Sequence, residues 1–147
     1  CRAGDAGTRQ VISVDTNILA RFYVDDPDDP EARKQRPAAR RAMESPSVFV
    51  PASVLLELEW VLRAFYEFGP ADFAAVVNHL LGLPNVAIES RAAVTQAIDA
   101  HGAGLDFADA LHLASSRHCE TLVTFDDKRF ARRAERLGLQ PAVSVAR

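Results

Sequence analysis

Five acidic residues stand where they could do chemistry: Asp15, Glu57, Asp106, Asp109 and Asp126. Asp15 and Asp126 each end a short apolar, β-rich run, Val11–Val14 and Leu122–Phe125. In an open α/β sheet, ligands bind beyond the carboxyl ends of the strands. Each of the two also reads as a helix N-cap, a position that favours Asp. Glu57 falls mid-helix, with Val54, Val61 and Ala64 at i−3, i+4 and i+7. On such an apolar face a carboxylate is costly unless it is paired or metal-bound. Glu59, two residues on, points elsewhere and is expected in solvent. Asp106 and Asp109 are three apart and share a helix face, where Asp106 could cap and Asp109 could meet the helix dipole. Asp109 fits that reading less well, because the apolar run Ala110–Ala114 follows it. Carboxylates gathered at one rim cannot all stay ionised without cations. All-oxygen sites suit Mg²⁺ or Mn²⁺. Such ions activate water against phosphodiesters and clamp the attacking and leaving oxygens.

These residues must be positioned by elements that alternate along the chain. Helical spacing runs over Asn17–Tyr23, followed by the turn cluster Asp25–Pro30. Glu31–Glu44 reads as a surface helix that Pro37 should break or kink. Ser47–Val50 reads as a strand, and Pro51 opens a helix to Tyr66 with the stripe Leu55, Leu58, Leu62 and Phe65. Gly69-Pro70 is a stop, and helix Ala71–Leu81 follows. The pattern continues with strand Val86–Ile88, helices Arg91–Ala100 and Asp106–His118, and strand Leu122–Phe125. Helix Lys128–Leu137, capped at Gly138, and strand Ala142–Val145 complete it. Strands separated by helices predict an α/β fold: a three-layer α/β/α sandwich with a central, mainly parallel sheet.

At 147 residues the chain is expected to form one domain over residues 11–147, with 1–10 a loose leader or remnant. A hydrophobic content of 48% with a net charge of only −3 excludes a disordered chain. No apolar stretch approaches the ~18 residues of a membrane span. With only Cys1 and Cys119, a disulfide scaffold is excluded and a reducing, cytoplasmic setting fits. Cys119 reads as a small buried hydrophobe. Binding a polyanion would need local basic patches. Two exist: Arg33, Lys34, Arg36, Arg40 and Arg41, then Lys128, Arg129, Arg132, Arg133 and Arg136. Each is either a solvated helix face paired with nearby glutamates or a nucleic-acid backbone contact. The second follows Asp126 directly and is favoured. Trp60 and Tyr66 read as core or interface residues. His79, His101, His112 and His118 form no metal-ligand pattern, although His112, at i+3 from Asp109, could border the acidic pocket. No nucleophile elbow, Walker loop or dinucleotide fingerprint is present.

Four segments together resemble the motif regions of PIN-domain nucleases, above all VapC-type toxins of bacterial toxin–antitoxin pairs. They are VISVDTNILARF (Val11–Phe22), ASVLLELEWVLR (Ala52–Arg63), GLDFADALHLA (Gly104–Ala114) and LVTFDDKRFA (Leu122–Ala131). The resemblance implies that Asp15, Glu57, Asp109 and Asp126 are the metal carboxylates and catalytic residues. Asp106 falls at an often-acidic position and would be a ligand or a support, and Asp127 offers a carboxylate one residue beyond Asp126. Asn17 and Thr124 match polar residues that order the site. Lys128, Arg129, Arg132 and Arg133 would contact RNA. The resemblance further implies a Mg²⁺- or Mn²⁺-dependent endoribonuclease that leaves a 5′-phosphate, forms a homodimer, pairs with a cognate antitoxin and does not enter a membrane. Two alternatives remain at this level. One is a non-catalytic PIN-like module with an unused acidic pocket. The other is a receiver domain, for which Lys128 is loosely placed and Glu57 unexplained.

Overall fold

The computed structural model describes residues 10–147. The expected leader therefore lies, but for Gln10, outside the described residues. The chain divides into two compact units at Glu89/Ser90.

In the first unit, Val48 and Val50 are fully buried while Phe49 between them is half-buried. This makes β2 (Val48–Val50) the inner strand, flanked by β1 (Ile12–Ser13) and β3 (Val86–Ile88). Both pairings are parallel, with Ile12 opposite Val48 and Val48 opposite Val86. Parallel pairing puts the carboxyl ends of β1 and β2 at one rim. There the chain enters α1 (Thr16–Tyr23) through Asp15 and α3 (Ala52–Tyr66) through Pro51. Between them lies α2 (Pro30–Met43), whose N-cap Asp29 accepts from the Glu31 and Ala32 amides. The helix runs through Pro37 without the break that was one of the two outcomes expected there. Proline removes one hydrogen bond from the ladder, and here the buried Ala32, Ala39 and Met43 hold the helix to the core on either side of it. Pro70 occupies the first turn of α4 (Pro70–Gly82), where a missing N–H costs nothing, and Asp72 accepts from the Gly69 amide at 2.8 Å. Leu19, Leu55, Leu58, Leu62, Phe73, Val77 and Leu80 fill the interior.

Three expectations about α3, at Glu57, Glu59 and Phe65, are corrected. Its buried face is Leu55, Leu58, Glu59 and Leu62. Glu57 is exposed, and Glu59, expected in solvent, is the buried carboxylate. The strip Val54–Val61–Ala64 beside Glu57 lies outside the core, at half-buried to exposed positions. Glu59 tolerates burial because Arg63, one turn on, donates to it at 2.9 Å. Phe65, read as part of the core stripe, is 67% exposed, because a stripe continued three residues past Leu62 has rotated off the buried face.

In the second unit, α5 (Arg91–Gly102) and α6 (Phe107–Ser115) enclose Val94, Ala97, Leu105, Phe107 and Leu113. Helix α6 ends at Ser115 rather than His118: the Ser116 amide turns back to the Leu113 carbonyl, and its hydroxyl donates to the His112 carbonyl. β4 (Thr121–Thr124) and β5 (Ala142–Val145) pair in parallel. After β4 the chain makes a π-helical turn, Asp127–Ala131, before α7 (Arg132–Arg136). At the end of α7, Gly138 takes a φ of +67°, a conformation natural to glycine, and the helix stops as expected. Cys119 is exposed, not buried, because it sits in the loop between α6 and β4. All strand pairings among the described residues are parallel, and helices alternate with strands as the sequence predicts. No helix there is long and apolar enough to cross a membrane.

Candidate active site

Each acidic residue at the end of β1 or β4 starts a helical turn, and the local sequence dictates this. Asp15 caps α1, its Oδ1 accepting from the Ile18 amide at 3.2 Å. Asp126 caps the π-helical turn, its Oδ1 accepting from the Arg129 amide at 2.9 Å. Asp106 caps α6 in the same manner, its Oδ2 accepting from the Asp109 amide at 3.3 Å. The capping reading is therefore correct for all three. It does not exclude the other reading, since a carboxylate has two oxygens and each cap uses one. All three side chains are exposed.

In the first unit the carboxylate of Glu57 is tied to α1. The Thr16 hydroxyl, buried directly after the Asp15 cap, donates to Glu57 Oε1 at 2.6 Å across 41 residues of sequence. Sequence reasoning passed over Thr16. The available signal was a hydroxyl immediately following the strand-end aspartate. Asn17 is exposed and faces a recess of about 380 Å³ that also involves Arg21, Asp26, Asp29 and Tyr66. There the Tyr66 hydroxyl donates to Asp26 Oδ2 at 3.1 Å. Burial, and then the hydrogen bond to Asp26, push the Tyr66 phenol above its ordinary range.

In the second unit Asp109 sits half-buried on α6. Burial pushes its carboxyl above the usual carboxylate range, the charges of Asp106 and Asp126 push it further, and His112 pulls it partly back. Asp106, Asp109, Asp126 and His112 thus share one electrostatic neighbourhood. Thr124, at the end of β4, accepts from the Asp126 amide at 3.1 Å through its Oγ1 and so fixes the backbone that carries Asp126. Asp127 has another partner: it forms a two-point ion pair with Arg132, at 3.2 and 3.0 Å. Among the described residues, no group of three or more acidic, histidine or cysteine side chains is arranged tightly enough to hold a metal ion by itself.

Four of the five basic residues in the group after Asp126 fall into two pairs. Lys128 and Arg129 are exposed on the π-helical turn. Arg132 is held by Asp127, and Arg133 donates to the Gly104 carbonyl at 3.0 Å, bracing the turn before α6. Trp60 and Phe65, 51% and 67% exposed, pack edge to face with ring centres 5.7 Å apart.

The PIN domain family model matches residues 12–136, a span that includes all the candidate acidic residues. The chain belongs to the PIN domain family. Among solved structures, that of VapC20 from Mycobacterium tuberculosis, a sarcin-ricin loop cleaving toxin, aligns with 90% of this chain and 98% of its own. The alignment has 18% identity and a TM-score of 0.40. No curated protein matches the sequence.

Proposed function

We propose that this chain is a divalent-metal-dependent endoribonuclease and the toxin member of a toxin–antitoxin pair, acting in the cytoplasm as a homodimer. The observation that carries the reading is the gathering of Asp106 and Asp126 near the half-buried Asp109, whose carboxyl is pushed above its usual range by burial first and then by those two charges. A hard divalent cation relieves such crowding, and the donors are all oxygen, the set that Mg²⁺ and Mn²⁺ prefer. When bound, the ion supplies Lewis acidity and a water of lowered pKa.

The residues assigned to metal binding are Asp15 and Glu57 in the first unit and Asp109 and Asp126 in the second, with Asp106 supporting Asp109 through its amide. Thr16 orients Glu57, and Thr124 orients Asp126. Lys128 and Arg129 are the RNA contacts best supported, since they are exposed and follow Asp126 directly. Arg132 and Arg133 are also assigned to RNA, with their present partners competing for them. The test is cleavage of total RNA by purified protein with Mg²⁺, with Mn²⁺ and with EDTA. Cleavage that needs the metal and disappears in Asp109→Asn is expected. Intact RNA with both metals would overturn the reading.

A further inference from the structure

One face of α2 carries two recesses that meet at a shared arginine. Arg33, Arg36 and Arg40 stand at i, i+3 and i+7, so they project from one side of the helix. They surround a hollow of about 320 Å³ with Asp25 and Pro37. Arg40 also borders a second hollow of about 530 Å³, formed with Phe22, Tyr23, Glu44 and His79. The first hollow is lined by three cations and one carboxylate. The second is lined by rings: Phe22 meets Tyr23 edge to face at 4.9 Å, and Tyr23 meets His79 likewise at 5.4 Å. A hydrogen bond of 2.7 Å between the Tyr23 hydroxyl and His79 Nδ1 fixes these two rings relative to each other.

The arginines are available. Among the described residues neither Arg33 nor Arg40 forms an ion pair, and both are exposed. Arg36 Nη1 pairs with Asp25 at 3.0 Å; the arginine side chain is 21% exposed and the carboxylate 74%, so Asp25 can swing into solvent and yield its place to another anion. Arg36 Nε is buried with no acceptor, so the guanidinium leaves one donor unmade in this pose. It has a donor to gain by turning toward an incoming oxyanion.

We propose that this face of α2 holds single-stranded RNA, one phosphodiester lying among Arg33, Arg36 and Arg40 and the neighbouring base lying against Phe22, Tyr23 and His79. The inference rests on the ribonuclease reading and adds to it a second binding surface, on α1, α2 and α4, remote in sequence from Lys128 and Arg129. Adjacent cationic and aromatic hollows match the alternation of phosphate and base along a single strand, which such proteins meet with charge and with stacking platforms. Glu44 gives the surface a direction. It repels phosphate from the aromatic end, and its carboxylate can accept from an exocyclic amino group of a base. An acidic peptide would satisfy the arginines but has no use for the rings beside Glu44.

The test is fluorescence anisotropy with a short single-stranded RNA, about a dozen nucleotides, in EDTA so that nothing is cleaved. Cleavage of the same RNA with Mn²⁺ is followed separately. The double variant Arg33→Ala/Arg40→Ala should bind about tenfold more weakly, with a salt slope lower by about 0.7, the value for one lost phosphate contact on a single strand. Arg33→Lys/Arg40→Lys should restore the slope. His79→Ala should weaken binding with the slope unchanged. Wild-type affinity and slope in the double variant would overturn the proposal, as would equal affinity for double-stranded RNA or displacement by poly-glutamate at the same concentration as by RNA. Failure of the wild type to bind RNA overturns it as well. Loss of binding in the double variant with no cleavage by wild type would retain this surface and remove the nuclease reading.

Discussion

The Thr16 hydroxyl donates to Glu57 Oε1 at 2.6 Å, joining the first residue of α1 to the second turn of α3. Thr16 is 5% exposed, so its hydroxyl has little access to water. Glu57 is thereby held from the buried side while its carboxylate stays open to solvent. Thr16→Val keeps the shape and removes the donor. We expect a stability loss of about 1 kcal/mol and a larger loss of metal-dependent RNA cleavage, with Thr16→Ser restoring both. Urea unfolding and cleavage assays on the two variants decide it; full cleavage in Thr16→Val would mean that Glu57 needs no orientation.

The raised carboxyl of Asp109 predicts a pH dependence in the metal-free protein. Its folded pKa lies above the unfolded value of 3.8, so between the two the folded state holds the extra proton. Stability therefore falls as pH rises through that window, and the penalty persists at neutral pH. Asp109→Asn should melt higher than wild type in EDTA at pH 7 and show no such fall. Thermal melts of both proteins from pH 3 to pH 7 check it. A variant that melts lower at pH 7 would contradict the repulsion.

Charge removal should separate catalysis from folding. Asp15→Asn and Asp109→Asn keep side-chain shape and lose anionic ligands, so each is expected to abolish most RNA cleavage while circular dichroism stays native. Asp15→Asn should cost less than about 1 kcal/mol, since Asn is also a good N-cap. Wild-type cleavage rates in either variant would refute its role as a ligand.

The two pairs of basic residues after β4 should behave differently. Arg133→Ala loses its bond to the Gly104 carbonyl and should destabilise by about 0.5–1.5 kcal/mol. Lys128→Ala/Arg129→Ala should leave the melting temperature unchanged, weaken RNA binding and lower its salt dependence. Measuring melting and binding on the same preparations tests both halves.

Association should run through the exposed aromatic pair on α3. Trp60→Ser/Phe65→Ser is expected to convert a dimer to a monomer by light scattering at micromolar concentration, without loss of secondary structure. A wild-type protein that is already monomeric would remove the premise.

The element order was legible because apolar spacing and Gly/Pro punctuation agree along the chain, as at Gly69-Pro70 and Gly138. The candidate acidic residues were legible for a related reason: an Asp at a strand end is visible in sequence whether it caps or binds. Which glutamate of α3 is buried was not legible. Glu57 and Glu59 each have apolar neighbours at helical spacing, and the choice of core face depends on what packs against the helix. Thr16 escaped notice because its partner lies 41 residues away. The π-helical turn was also hidden, since DKRFA has ordinary helix composition and the wider ring shows only in the Ala131 and Arg132 amides bonding to the Asp126 and Asp127 carbonyls.

Asp15, Asp106 and Asp126 each anchor one oxygen to the first turn of the helix they begin. Their rotamers are thus chosen when the chain folds, before any ion arrives. The entropy of aligning these side chains is lost once, during folding, and is not charged again at binding. A cation meeting the Asp106 and Asp126 oxygens of the second unit would find them already oriented. Calorimetry would then record its binding with little of the entropic penalty expected from carboxylates on free-swinging loops.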